Sequence, residues 1–273
     1  MAKNILHMMT PLAHMSPSGV NMALDGGYDA TAPYTNVFLG QITDLVQDAM
    51  FSRSPRDAVR TGVFTGGKAA LLALDMLEAA GKALFKPFEI SLFADPAGSF
   101  TTAAAMIAVV EKTLKEKEDR ALRGAAFSVF GATGVVGTAS AIIAALEGAS
   151  VTLAGRDGTR RTADHAAQIN RRFGVDLAVA DGSTPEERAA ILATTEVVLC
   201  TAKAGVRVLT PTRSIALDNC YSQPTSMRCP RPASKVWMHT PTVRFSGNTT
   251  RWESARLRLA MSNIDQNPGC SGR

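Results

Sequence analysis

AAFSVFGATGVVGTASAIIAAL, Ala125 to Leu146, reads as a strand, a glycine turn and a helix in direct succession, and SVTLAGRD at Ser150 to Asp157 supplies the next apolar strand. This is the opening of a dinucleotide-binding βαβ unit. In GATGVVG, Gly131 suits the sharp bend out of the strand, Gly134 the close approach of a pyrophosphate, and Gly137 the packing of the helix on the sheet. Thr133, Val135 and Val136 lie between them, where backbone amides at the helix start would hold phosphate. The spacing is G-x-x-G-x-x-G, with Ala132 interrupting the commoner G-x-G-x-x-G, so its strength lies in its setting. An apolar strand precedes it, Thr138 to Glu147 forms a helix free of Gly and Pro, and Gly148 follows as a C-cap.

The end of the second strand normally separates the two nicotinamide dinucleotides. An acidic residue there binds a ribose 2′-hydroxyl, whereas an arginine pairs with a 2′-phosphate. Arg156 comes first, Arg160 and Arg161 follow on the next turn, and Asp157 stands between. NADP is the expected cofactor, with NAD still open. After the apolar run Glu196 to Cys200, the segment Thr201 to Gly205, with Thr201 and Ala202 leading it, is where the chain should pass the nicotinamide side.

A chain of 273 residues with 46% hydrophobic content suits two domains of a soluble globular protein. MAKNILHMM is too short and too interrupted by His7 for a secretory signal, and the uncharged run Ala125 to Leu146 carries too many Gly, Ser and Thr for a membrane span. A cytoplasmic protein is expected. The net charge of +5 hints at nucleic acid only until it is divided: residues 1–212 hold 20 basic and 21 acidic side chains, and residues 213–273 hold 9 and 3. Cys220, Cys229 and Cys270 also lie in that tail, with Cys200 upstream; their spacing makes neither a zinc site nor a disulfide framework.

The fold class expected is two-domain α/β, with a Rossmann-type parallel-sheet nucleotide domain over residues 121–212, an N-terminal α/β substrate domain over 1–120 and an irregular basic tail over 213–273. In the first domain Ile5 to Met9, Val59 to Thr65 and Phe88 to Phe93 read as strands. His14 to Leu24 starts a helix, and a second helix runs from Lys68 to Ala80 and stops at Gly81. A third is capped by Ser99, Thr101 and Thr102 and runs into a charged linker, Glu111 to Arg123. Gly62 to Lys68, GVFTGGK, fits half of a phosphate-binding P-loop, but Ala69 replaces the hydroxyl that would bind Mg²⁺. Lys68 is better read as a cation facing a cleft, and His7 and His14 as packing residues.

Residues 1–210 resemble the NAD(P)-dependent methylene-tetrahydromethanopterin dehydrogenases of methylotrophic bacteria. The resemblance rests on ILHMMTPLAHMSPSGVNMALDGGYD, PYT at Pro33 to Thr35, FSRSPRDAVRTGVFTGGK, FADPAGSFTTAAAM at Phe93 to Met106, GATGVVG and ALEGASVTLAGRDG, in that order. It implies hydride transfer from methylene-tetrahydromethanopterin to NADP or NAD, a step of formaldehyde oxidation in one-carbon metabolism. The product cation is delocalised over N–C–N and no proton moves, so no catalytic acid or base is assigned and no metal is required. A pterin in a cleft between the domains would meet Asp25, Tyr34, Lys68, Asp95, Ser99, Thr101 and Thr102. Homo-oligomerisation is expected from the same resemblance, and neither nucleic acid nor membrane is expected as a partner. The alternatives are a methylene-tetrahydrofolate dehydrogenase and a non-catalytic protein binding nucleic acid through its basic tail.

After Thr210 the resemblance stops. Codons can be chosen for Trp252 to Ile264 that, read one frame over, encode Gly-Ile-Gly-Ala-Leu-Ala-Ile-Gly-Asn-Val-Lys-Tyr, the glycine-rich C-terminal pattern of this family. The same shift over Pro224 to Met238 yields Asp-Val-Asn-Ala-Val-Pro-Pro-Ala-Gly-Ile-Glu-Gly-Val-Asp, again a segment of the family. A frameshift between Thr210 and Pro224, in the gene or in its reading, is the expectation. The chain as written should then keep the folded front of the family, lose activity, and be irregular over 213–273.

Overall fold

A computed structural model describes residues 2–203, 208–209 and, as backbone, 236–239. These residues form two compact units divided between Thr101 and Thr102. Each is built on a wholly parallel sheet with helical crossovers.

In the first unit β1 (Ile5–Met9), β2 (Ala30–Tyr34), β3 (Thr61–Thr65) and β4 (Ser91–Ala94) lie in the order β2-β1-β3-β4. Helices α1 (Pro17–Asp25), α2 (Ile42–Phe51), α3 (Pro55–Ala58) and α4 (Ala70–Ala83) make the connections. Side chains alternate across the strands. Met9 and Val63 join Ile42, Val46, Met50 and Met76 in one core, while Leu6, Met8 and Phe64 pack on Ala23 in the other. Every residue of β3 is buried, as a central parallel strand requires.

The sequence reading has no counterpart of β2. Its residues ATAPY are only half-buried or exposed, and Pro33 is tolerated because β2 is an edge strand. α4 continues past Gly81 to Ala83. Ala80 and Ala83 are buried in the core, and that burial outweighs the roughly 1 kcal/mol cost of a helical glycine. The first glycine of GVFTGGK has a packing role: a Cβ on Gly62 would stand 2.5 Å from the Tyr28 hydroxyl.

α5 (Ser99–Glu118) replaces most of the expected linker. Val110 and Leu114 are buried, while Lys112–Glu116 and Lys115–Asp119 pair one turn apart on the solvated side. The charged run is thus one face of a helix.

The second unit contains β5 (Ala126–Phe130), β6 (Ser150–Gly155), β7 (Leu177–Asp181), β8 (Val197–Cys200) and β9 (Val236–His239), in the order β7-β6-β5-β8-β9. The crossovers are α6 (Val135–Leu146), α7 (Arg160–Phe173) and α8 (Pro185–Ala193). α6 is buried from Gly137 to Ala144, which explains its lack of charge. Glu196 secures the start of β8: its carboxylate accepts the Ala126 N–H at 2.8 Å and pairs with Arg120 at 2.9 Å. Within 213–273 the strand β9, parallel to β8, is the described part. The irregularity expected of the remaining tail, and the frame change itself, lie outside the described residues.

Candidate functional site

Strand order reverses at β5, whose neighbours β6 and β8 lead away in opposite directions. The crevice beyond the carboxyl ends of such strands is where open α/β sheets bind ligands. The glycine turn leaves β5 at that point.

Its glycines answer to the chain's own packing. Gly131 has φ +80°, and a Cβ there would lie 2.6 Å from the Ala202 nitrogen. A Cβ on Gly137 would lie 2.5 Å from the Thr201 hydroxyl and 2.6 Å from the Gly131 carbonyl oxygen. Thr201 fastens the arrangement, donating its N–H to the Phe130 carbonyl at 2.8 Å and its hydroxyl to the Phe130 and Gly131 carbonyls at 3.0 and 3.2 Å. Thr201 and Ala202 thus lie beneath the turn.

Gly134 is different. It is exposed, its φ of −76° suits any residue, and it stands as the N-cap of α6 without a side chain to cap the helix. The first intrahelical bond runs from Thr138 N–H to Gly134 O, so the amides of Val135, Val136 and Gly137 precede the ladder. Uncapped amides at the positive end of a 12-residue helix form an anion cradle. The residues present therefore fit a dinucleotide pyrophosphate.

Beside the turn lies a cavity of about 610 Å³, walled by Thr133, by Asp157 and by the first turns of α7, including Arg160, Arg161 and His165. Arg161 Nη2 donates to Thr133 Oγ1 at 3.1 Å. Arg156 is engaged by the neighbouring Asp157, Nη2 to Oδ2 at 3.0 Å and Nε to both carboxylate oxygens at 3.2 Å. That bond holds the guanidinium pKa above its ordinary value.

His165 is a member that sequence reasoning missed. Its Nε2 lies 2.8 Å from the Thr138 hydroxyl, which in turn reaches the Ala132 carbonyl at 3.1 Å. With the hydroxyl proton given to the Ala132 carbonyl, Nε2 carries a proton and donates to the Thr138 oxygen. Burial, then the charge of Arg161, lowers its pKa. The available signal was its spacing from Arg161, one helical turn along the same face.

In the first unit Tyr34 ends β2, Lys68 follows β3, and Asp95 to Thr101 follow β4, so these predicted residues share the carboxyl edge of one sheet. The Tyr34 hydroxyl lies 3.0 Å from His7 Nδ1, and Lys68 is exposed. Asp95 accepts the Phe100 N–H at 2.8 Å and the Thr101 hydroxyl at 2.7 Å, capping α5. Ala97, at φ +55°, and Gly98 bring the chain round into the helix, and the buried Ser99 hydroxyl has no hydrogen-bond partner. Thr102, in the first turn of α5, is the first residue of the second unit. The structure does not bring Asp25 to this edge: it ends α1, whose chain next enters β2, so it lies at the amino edge. Among the described residues no group of three or more His, Cys, Asp or Glu could hold a metal, and no helix is long and apolar enough to cross a membrane.

The switch-point glycine turn, the uncapped α6 and the arginine-lined cavity define a dinucleotide-binding α/β protein. Residues 17–97 match the family described as methylene-tetrahydromethanopterin dehydrogenase, N-terminal. The chain is 50% identical, over 77% of its length and 71% of the relative's, to the NAD(P)-dependent methylenetetrahydromethanopterin dehydrogenase of Methylorubrum extorquens AM1. It is 31% identical, over the same shares, to the bifunctional protein MdtA of that organism. Among solved structures, shikimate 5-dehydrogenase of Listeria monocytogenes aligns with a TM-score of 0.42 and 16% identity, covering 73% of this chain and 68% of that one. The ornithine carbamoyltransferase of Pyrococcus furiosus aligns at 0.44 and 13%, covering 74% and 60%. The chain belongs to the methylene-tetrahydromethanopterin dehydrogenase family.

Proposed function

We propose that this protein oxidises 5,10-methylene-tetrahydromethanopterin to the methenyl form, with NADP, or NAD, as hydride acceptor, in one-carbon metabolism. The observation that carries the reading is the uncapped start of α6 behind the exposed Gly134, in a chain 50% identical over 77% of its length to an NAD(P)-dependent enzyme of that name. The bound nicotinamide supplies the electrophilic carbon that accepts the hydride.

The protein's own part is binding and alignment. Val135, Val136 and Gly137 present amides to the pyrophosphate, and Thr201 fixes the turn from below. The first unit takes the pterin on its carboxyl edge through Tyr34, Lys68, Asp95, Ser99 and Thr101. Hydride leaves a carbon flanked by two nitrogens, and the charge it leaves spreads over both. No proton is transferred in the step, so aligning the rings and excluding water are sufficient tasks. The enzyme works as a cytoplasmic homo-oligomer and engages no nucleic acid. Residues after Thr210 are out of the family's frame.

The test is to sequence the DNA encoding Val206 to Pro224, then to assay the full chain, as written and with the frame restored. Reduced nicotinamide is followed with methylene-tetrahydromethanopterin and with methylene-tetrahydrofolate. Turnover of the methanopterin substrate by the restored chain alone is expected. Equal turnover by both chains would refute the frame reading, preference for the folate would shift the substrate, and no turnover by either would refute the proposal.

A further inference from the structure

Three arginines follow β6, and the structure treats them unequally. Arg156 is taken up by Asp157 through three contacts, and its side chain is 77% exposed. It does not wall the cavity beside the glycine turn, whereas Arg160 and Arg161 do. Neither of these two takes part in an ion pair among the described residues.

Their position is electrostatically costly. α7 has no acidic residue in its first turn and no side-chain cap from Thr159, and its first intrahelical bond is Ala163 N–H to Thr159 O. Two cations therefore stand at the positive end of a 14-residue helix, where an anion would be favoured. Asp157 and Asp164 also wall the cavity and offset part of this charge without pairing with either arginine. Arg161 additionally reaches the glycine turn through Thr133, so the cavity adjoins the expected pyrophosphate site.

We propose that the 2′-phosphate of NADP is held by the first turn of α7, through Arg160 and Arg161 at this cavity, and that Arg156 is not the residue that reads it. The inference rests on the dinucleotide reading of the glycine turn and deepens it. A phosphate monoester carries about 1.5 to 2 negative charges at neutral pH and accepts charge-assisted hydrogen bonds from guanidinium. The two arginines and the amide end of α7 together supply that donor set. An unphosphorylated ribose offers the arginines no anionic acceptor, so the site favours NADP while Asp157, at the cavity wall, keeps NAD admissible.

The test is calorimetric titration of the full chain with 2′,5′-ADP and with 5′-ADP, which needs no turnover. Wild type should bind 2′,5′-ADP more tightly. Arg160→Ala and Arg161→Ala should each weaken 2′,5′-ADP roughly tenfold to a hundredfold, the worth of a hydrogen bond to a charged group, with 5′-ADP nearly unchanged. Arg156→Ala should change neither by more than about threefold. Collapse of 2′,5′-ADP binding in Arg156→Ala alone overturns the inference, as does equal binding of both nucleotides by wild type, which leaves the dinucleotide site standing. Binding of neither by wild type refutes the dinucleotide reading itself. Should Arg161→Ala lose both nucleotides, Arg161→Lys must recover the 2′,5′-ADP preference; failure to do so makes the residue a prop for the turn and ends the proposal.

Discussion

Two glycines three residues apart should respond to the same substitution in opposite ways. In Gly137→Ala the new methyl meets the Thr201 hydroxyl at 2.5 Å and the Gly131 carbonyl at 2.6 Å, both closer than the 3.0 Å that real Cβ atoms observe. Turn and β8 exit must separate by about 0.5 Å, an overpacking cost of about 1–3 kcal/mol. The Thr201 hydrogen bonds add about 1 kcal/mol when disturbed, and the better helix propensity of alanine returns at most about 1 kcal/mol. The net loss is about 2 kcal/mol, about 4–8 °C in melting temperature. In Gly134→Ala the methyl lies 3.1 Å from the Gly131 carbonyl, at φ −76° and ψ 162°, which alanine adopts freely. Its stability cost is below about 1 kcal/mol, but the methyl stands where a pyrophosphate must approach, and binding should weaken at least about tenfold. Thermal unfolding by circular dichroism, with titration of NADP into each variant, separates the two effects. Equal destabilisation by both substitutions, or wild-type NADP affinity in Gly134→Ala, would overturn this division of roles between the two glycines.

Thr184 caps α8 by accepting the Glu187 N–H at 3.2 Å, while Glu187 accepts the Thr184 N–H at 2.9 Å. Thr184→Ala should cost about 1 kcal/mol, seen as a lowered urea midpoint; an unchanged midpoint would remove the cap from the account. Burial pushes the Cys200 thiol up to about 12, so it is un-ionised at neutral pH. Peptide-resolved alkylation should modify it only as the protein unfolds in urea, and native-state labelling at the rate of a free thiol would contradict its burial. His7 and His165 both have pKa values lowered below 6.5, chiefly by burial. The unfolded chain therefore takes up protons first: stability is complete above pH 6.5 and falls as pH drops through the window down to the folded values. His165→Gln should flatten the decline in urea midpoint between pH 7 and about pH 5, and an equally steep decline in the variant would place its origin elsewhere.

The glycine-turn unit was legible because independent local signals coincide there. An apolar strand, turn glycines, a charge-free helix and Gly148 at φ +86° all favour the same course of the chain. β2 was not legible: as a half-buried edge strand with Pro33 it carries little of the apolar pattern by which strands are read. The charged end of α5 was misread because its paired lysines and carboxylates resemble a solvated linker until the burial of Val110 and Leu114 is known. His165 was hidden for another reason. Its partner Thr138 lies 27 residues away, and the two meet only after the chain has passed through β6 and returned along α7. The pairing of Arg156 with Asp157 was hidden although the two are neighbours in sequence, because only the side-chain conformation shows it.

The partner that shapes the glycine turn bears on the proposed frame change. Gly131 and Gly137 are required by Thr201 and Ala202, about 70 residues along the chain and still ahead of Thr210, where the family resemblance ends. The amides of Val135 to Gly137, the turn beneath them and the arginines of α7 are therefore all encoded before any frame change. Beyond Thr210, β9 joins the sheet on the far side of β8 in parallel register, one strand removed from β5. On the proposed reading, nucleotide capture and turnover depend on different stretches of the chain. The chain as written should bind 2′,5′-ADP with an affinity close to that of the frame-restored protein while failing to reduce nicotinamide in the presence of the pterin. Loss of both properties together would mean that the residues after Thr210 are needed to hold the second unit's fold, and the separation argued from Thr201 would not stand.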